Sequence, residues 1–290
     1  MCPPTYFDVA YAINPWMHPG VPVDLERAAA QWQALVSTLV GLGHTVEQMH
    51  PQPQLPDLVF AANGGIAIGG QALAPKFRFA QRSAESGYFA AALGELGYDP
   101  VGRPEHLNEG EGDFLLVGDL ILAGHGFRSD LAATAEVERY FGIPVAELTL
   151  VDERFYHLDT ALAVLDETTV AYYPGAFDER SNRLLAARFP TAVLAEEADA
   201  AVLGLNMISD GTDVVITAST GRLRGDLLAR GYRVHPIEFE EFGKAGGGPK
   251  CCVLRLQDRP ARLSELSAAT ATTTATTVTA PAATEINAAV

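Results

Sequence analysis

Apolar residues along this chain fall in short runs broken by tight-turn dipeptides. LVFAANGGIAIGGQALAP, FLLVGDLILAG, TALAVLDETTVAYY and LNMISDGTDVVITA each read as strand, turn, strand. The turns fall at Gly69-Gly70, Gly118-Asp119, Asp166-Glu167 and Asp210-Gly211, chemistry that favours hairpins. Each hairpin is followed by a helical pattern and a further strand. SAESGYFAAALGELG leads to Val101, SDLAATAEVERYFG to VAELTLV, SNRLLAARF to TAVLAEE, and GRLRGDLLARG to RVHPIEF. Near the start, VDLERAAAQWQALVSTLVGLG precedes TVEQMHP. Its apolar positions Leu25, Ala28, Ala29, Trp32, Leu35, Val36 and Leu39 recur at helical spacing, and Asp24 offers an N-cap.

The four turns recur every 44–49 residues, and Gln257-Asp258 after CCVLRL continues the series. This spacing predicts five strand–helix units. The fifth hairpin would pair the N-terminal YFDVAYAI with CCVLRL, closing a ring without free sheet edges and with the helices outside. The fold class is thus α/β, a five-bladed α/β propeller. An ordinary α/β or α+β domain with coincidental spacings is the competing reading; agreement of four intervals favours the ring.

Polar residues stand four to nine positions before each turn: Asn63, Asp113 with Glu109 and Glu111 behind it, His157 and Asp159, Asn206, and Cys251. Equivalent positions in a pseudo-symmetric ring face one axis, so a thiol, an imidazole, carboxylates and amides should converge. A cysteine near a histidine can act as a covalent nucleophile, with the histidine donating a proton and later activating water. Carboxylates suit a planar cation and oppose an acyl oxyanion, which disfavours a protease. Each residue also has a plainer reading. Cys252 fits a buried small hydrophobe, His157 a structural histidine, Asp159 a local cap, EGEGD a solvated loop, and Asn63 and Asn206 turn formers. Cys251 differs because the preceding GGGP run permits close backbone approach. Arg82 and Arg128 are candidate clamps for a substrate carboxylate, with a surface charge at a helix start as the alternative.

Composition narrows the partners. A net charge of −16 over 290 residues repels nucleic acid and anionic membranes and does not repel a cation. Three cysteines, Cys2, Cys251 and Cys252, form neither a disulfide framework nor a metal-binding spacing. The N-terminal MCPPTYFDVAY has no basic and apolar leader pattern, and no apolar run approaches a membrane span, so a cytoplasmic enzyme is expected. From about Ser267 the chain becomes AATATTTATTVTAPAATEINAAV, which lacks a core-forming pattern. One catalytic domain over 1–263 and a flexible tail over 264–290 are expected.

The segments HLDT (157–160), GGGPKC (246–251), GEGD (110–113) and FRS (127–129) resemble the guanidino-group-modifying enzymes: arginine deiminase, dimethylarginine hydrolase, amidinotransferases and arginine dihydrolases. HLDT with GGGPxC in this order is specific; GEGD alone is weak. The resemblance covers roughly residues 1–258 and implies a pentein-like five-bladed propeller. It implies Cys251 as nucleophile and His157 as general acid/base, with no metal or organic cofactor. Asp113 and Asp159 would hold the guanidinium, and Arg128 and Arg82 the substrate carboxylate. Asn63, Glu109, Asn14 and Asn206 complete the expected substrate-binding set. In many relatives an acid lies three residues before the GEGD aspartate. Here that position is Gly110, flanked by Glu109 and Glu111, which leaves the second acidic contact open between them. Single-step relatives generally carry an acid where FAANGG places Asn63. This departure, with MCPPTYFDVAYAINPWM and PDLVFAANGG, looks most like the arginine dihydrolases, which convert arginine to ornithine, carbon dioxide and two ammonia. A single-step dimethylarginine hydrolase or deiminase giving citrulline is the first alternative. An idle arginine-binding protein and an amidinotransferase follow. The expected partner is arginine or a methylated arginine, with a homo-oligomer left open.

Overall fold

The computed structural model describes residues 1–260. The expected tail lies outside the described residues. Helix α1, Leu25–Gly41, starts where Asp24 accepts the Arg27 N–H at 3.0 Å. Ala28, Trp32, Leu35, Val36 and Leu39 face the core, as the periodicity predicts. Leu25 and Ala29 instead face outward. Gln31 also faces inward; its amide donates to Glu240 and accepts the Glu241 N–H.

Four small sheets repeat one motif, an antiparallel hairpin whose second strand pairs in parallel with a strand beyond a helix. The first contains β1 (Ile66–Ile68), β2 (Gln71–Leu73), helix α2 (Glu85–Glu95) and β3 (Val101–Gly102). Its two-residue turn, Gly69-Gly70, has both φ angles positive (59° and 79°), the backbone a twisted hairpin requires. The second contains β4 (Phe114–Val117), β5 (Leu120–His125), α3 (Ala132–Phe141) and β6 (Val145–Thr149). The third is entered through a one-turn helix, α4 (Leu158–Ala161). It contains β7 (Leu162–Val164), β8 (Val170–Tyr172), α5 (Glu179–Arg188) and β9 (Val193–Leu194). A short helix α6 (Glu197–Ala200) precedes the fourth, which contains β10 (Ile208–Ser209), β11 (Asp213–Thr217), α7 (Arg222–Ala229) and β12 (Arg233–Ile237). Helix α8 (Glu240–Gly243) and strand β13 (Leu256–Gln257) follow. The architecture is mixed α/β, and its sheets remain separate rather than merging into one closed barrel.

The expected fifth hairpin does not form. Residues 1–24 contain no strand, and β13 pairs in parallel with β1, setting Leu256 opposite Ala67. Pro3 and Pro4 carry no N–H donor, and the chain turns at once, with the Phe7 N–H donating to Pro4 O at 3.1 Å. The N-terminal segment reaches the Cys251 turn by side-chain packing instead. Phe7 and Val9 share an apolar cluster with Trp32, Phe60, Phe242, Cys251 and Cys252. Phe7 stacks on Phe242 at 5.0 Å and meets Phe60 edge-on at 5.7 Å. Met1 does retain one parallel contact of the repeated kind: its amino group donates to Glu47 O at 2.9 Å and its carbonyl accepts the Met49 N–H at 3.0 Å. Among the described residues no helix is long and apolar enough to cross a membrane.

Candidate active site

The five segments carrying the predicted site residues are short turns rather than strands. Asn63 lies in the turn Ala61–Gly64, Asp113 closes the turn Gly110–Gly112, His157 caps α4, Asn206 leads into β10, and Cys251 lies in the turn Lys250–Cys252. Tight turns free side chains from ladder pairing, so polar groups can point inward. Asn63, Arg82, Glu109, Asp113, Arg128, His157, Asp159, Asn206 and Cys251 are all at most 3% exposed. Buried polar groups need partners, and the partners here link the segments.

Glu109 organises the imidazole. Its Oε2 lies 2.8 Å from His157 Nε2 and accepts from Arg128 Nη1 at 3.0 Å, while Oε1 accepts the Arg78 N–H at 3.0 Å. Burial opposes its ionisation, yet the Arg128 guanidinium and the His157 contact hold the Glu109 carboxyl well below the usual carboxylate range. A carboxylate accepting from Nε2–H leaves Nδ1 as the basic nitrogen, and Nδ1 has no hydrogen-bond partner among the described residues. Gly112 gives the ring room. A Cβ there would collide with the Asn63 amide nitrogen and stand 3.2 Å from His157 Cγ. Arg128 donates its Nη2 to Ile13 O at 2.9 Å and lies between the Phe79 and Tyr156 rings, 4.8 and 4.6 Å from their centroids.

Asp113 is committed to the frame. Oδ2 accepts from the Ser129 amide and hydroxyl, and Oδ1 accepts the Leu158 N–H at 3.1 Å. Burial raises its carboxyl to about 6 despite these bonds. Arg82 is spent on Glu85, Asp57 O and Asn63 Oδ1, the last at 2.6 Å. It fixes the Asn63 side chain, whose Nδ2 donates to Glu109 O at 3.3 Å.

The thiol has a different setting. Cys251 Sγ lies 3.6 Å from Asp159 Oδ2, and its N–H donates to Asn206 Oδ1 at 2.9 Å. Asn206 Oδ1 also accepts the Gly248 N–H, and Nδ2 donates to Asp159 O. One amide thus ties the Cys251 turn to α4. Burial and the Asp159 carboxylate push the Cys251 thiol well above its ordinary range. Burial likewise raises Asp159 to about 7, although Lys250, Asn206 and Cys251 pull it down. Asn14 stands apart from these groups. It braces the N-terminal segment, donating to Ala245 O at 3.0 Å and accepting the Trp16 N–H at 2.9 Å.

Several contributors escaped the sequence reading. Ser129 lies inside FRS and Lys250 inside GGGPKC without an assigned part, while Glu111, a candidate for the second acidic contact, instead pairs with Lys250. Asp57, Glu85 and Tyr156 had no local signal at all. The buried acids Asp57, Glu85, Glu109, Glu111, Asp113 and Asp159 outnumber the buried basic side chains among them, Arg82, Arg128 and Lys250. That imbalance favours entry of a cation.

A thiol, an imidazole with a free basic nitrogen, and surplus buried carboxylates define a cysteine–histidine–carboxylate site suited to a cationic electrophile. No family model matches the chain. It is 47% identical over 256 residues to the N(G),N(G)-dimethylarginine dimethylaminohydrolase of Mycobacterium tuberculosis, covering 88% of this chain and 84% of that protein. It is 38% identical over 264 residues to the bifunctional arginine dihydrolase/ornithine cyclodeaminase AgrE of a Nostoc species, covering 89% of this chain and 37% of AgrE. The solved N-terminal domain of Synechocystis ArgZ, an asparagine-to-serine variant covalently bound to a reaction intermediate, superposes with a TM-score of 0.86 at 35% identity. That match covers 90% of this chain and 97% of the domain. The chain belongs to the guanidino-modifying family of dimethylarginine dimethylaminohydrolases and arginine dihydrolases, hydrolases acting on guanidino C–N bonds.

Proposed function

We propose that this protein is an arginine dihydrolase, converting arginine and two waters to ornithine, carbon dioxide and two ammonia. The observation that carries the reading is Asn63, a buried neutral amide held by Arg82 beside His157 and Gly112. An amide offers both donor and acceptor, so it can hold a charged guanidinium and then a neutral ureido group. A carboxylate there would favour the cation alone. The covalent intermediate in the asparagine-to-serine ArgZ variant supports giving an asparagine a part in this chemistry.

In this mechanism the guanidinium lies against Asp159, whose carboxylate has no basic side chain bonded to it. The arriving cation offsets the carboxylate that keeps the thiol protonated, so the Cys251 proton passes to His157 Nδ1 and Sγ adds to the guanidinium carbon. His157 gives that proton to the departing ammonia, then takes one from the water that adds to the thiouronium carbon, and the C–S bond breaks to leave a ureido group and the thiolate. A second round at the ureido carbon releases the second ammonia, and the carbamate left on ornithine loses carbon dioxide. Glu109 steadies the imidazolium in both steps. Arg128 is the candidate for the substrate carboxylate, while Asp113, Arg82 and Asn206 act by positioning. The four repeated units, together with the Met1 contact to Glu47 and Met49, support a five-bladed propeller whose degenerate fifth blade includes α1.

A second reading, hydrolysis of dimethylarginine to citrulline and dimethylamine, is favoured by the 47% identity to the mycobacterial relative. Incubation with each substrate, quantifying ornithine, citrulline, ammonia and dimethylamine, separates them. The expected result is two ammonia per arginine with little citrulline, and Asn63→Asp is expected to shift products toward citrulline. Citrulline as sole product of wild type removes the dihydrolase reading. Dimethylamine release favours the second.

A further inference from the structure

Beneath the thiol lies a charge pair that the steps above do not use. Lys250 immediately precedes Cys251 and is 6% exposed. Its Nζ donates to Glu111 Oε2 at 3.0 Å and to Val253 O at 3.0 Å. Glu111 also accepts the Arg255 N–H at 2.8 Å and the Gln257 side-chain amide at 2.6 Å. A buried ion pair is a weak source of stability, because desolvating both ions offsets their attraction. An apolar pair would fill this space at less cost. The same pair lines a cavity of about 20 Å³ together with Asp159, so all three residues border one small space. The charged and polar groups acting on Asp159 come from three directions: Lys250 and Cys251 from the nucleophile's turn, Glu111 from the loop before β4, and Asn206 from the segment before β10. Tyr156 and Cys252 also feel its charge. Lys250 is the strongest of the influences drawing the Asp159 carboxyl down, and it draws the Cys251 thiol in the same direction.

We infer that Lys250 is a positioning residue of the reaction, keeping Asp159 charged to receive the guanidinium and, through Glu111, holding the turn that carries Cys251. The inference rests on the guanidinium hydrolase reading above. Its physical content is that a buried carboxylate without a neighbouring cation takes up a proton near neutrality. The substrate then meets a neutral acid.

The test compares wild type with Lys250→Arg, Lys250→Met and the double variant Lys250→Met/Glu111→Gln. Lys250→Met alone strands a buried carboxylate and can fail to fold; the double variant replaces the pair with neutral groups of similar shape. Two quantities are read against pH: kcat/KM for arginine and for dimethylarginine, and the alkylation rate of Cys251 by iodoacetamide, assigned by mass spectrometry of its peptide. In the double variant, with thermal unfolding near wild type, the acid limb of kcat/KM is expected to move up by about half a pH unit, because losing the Glu111 carboxylate offsets part of the loss of Lys250, and kcat/KM at pH 7 is expected to fall about twofold. Lys250→Met, where it folds, is expected to move the limb by about one unit and to lower kcat/KM at pH 7 about fivefold. Cys251 alkylation is expected to require higher pH, and Lys250→Arg is expected to keep the wild-type limb. A double variant with both wild-type pH profiles overturns the inference and leaves the pair a structural brace. If wild type turns over neither substrate, the hydrolase reading fails on its own, and the alkylation profile still decides whether Lys250 acts on the thiol.

Discussion

On the imidazole side of the site, charges do the holding: Glu109 joins His157 to Arg128, and Asp113 grips Ser129 and the start of α4. On the thiol side a neutral amide does it, with Asn206 binding Gly248, Cys251 and Asp159 through backbone groups. The difference follows from what each group must do. An imidazole that cycles between charge states needs a fixed counter-charge. The thiol's frame is the Asn206 amide bonded to backbone groups, backed by the Lys250–Glu111 ion pair on the same turn and with Asp159 at 3.6 Å as its charged neighbour. The same amide residue therefore has two uses in one site: Asn206 is consumed by the frame, and Asn63 is held by Arg82.

The sharpest way to break this comparison is at the thiol itself. Cys251→Ser is expected to lower turnover at least ~1,000-fold with folding intact, whereas Cys252→Ser, in the apolar cluster, is expected to stay within about threefold. Retained activity in Cys251→Ser would end the covalent mechanism. Next is Glu109→Gln, expected to lower kcat about 100-fold, because the imidazolium loses its counter-charge and Arg128 loses its buried partner. A wild-type rate there would mean charge is not what matters on the imidazole side. Asn206→Ala strands two buried N–H donors and a carbonyl, with an expected loss of about 2–4 kcal/mol in denaturant unfolding. If it lowers rate without lowering stability, Asn206 belongs with the substrate contacts instead. The smallest effect is expected from ending the chain after Leu263: a midpoint within about 2 °C of the full chain and unchanged turnover, since the removed sequence has no core-forming pattern. A large change in either would assign residues 264–290 a packing role.

The hairpins were readable because their signal is local. Gly69-Gly70 and Asp210-Gly211 are dipeptides whose backbone demands hardly depend on the rest of the fold. The partner of the last strand was not readable, since nothing near Leu256 encodes its pairing with Ala67. The repeat called for YFDVAYAI as the last strand, but the chain turns at Pro4–Phe7 and the segment packs by its side chains. That Asn63 and Glu109 meet near His157, and Asn206 and Asp159 near Cys251, was legible from position before a turn. Roles were not, because Asn63 and Asn206 are the same residue in the same local setting and differ only in tertiary partners. Lys250 and Glu111, separated by 139 positions, are a pair only once the chain has folded.

The parallel contact of β13 with β1 also bears on when the enzyme can work. The segment bearing Cys251, the proposed nucleophile, is among the last of the described chain to be synthesised, and it fastens onto one of the earliest strands, Ile66–Ile68. Between them the chain must already have laid down the loop of Glu109 and Glu111, the His157 helix and the Asn206 turn that receive it. Such long-range closure is slow and comes late in folding. A chain still growing, or cut short before residue 251, has its acid and imidazole but not the Cys251 thiol, so on the proposed mechanism reactivity toward guanidinium groups arrives only as folding finishes.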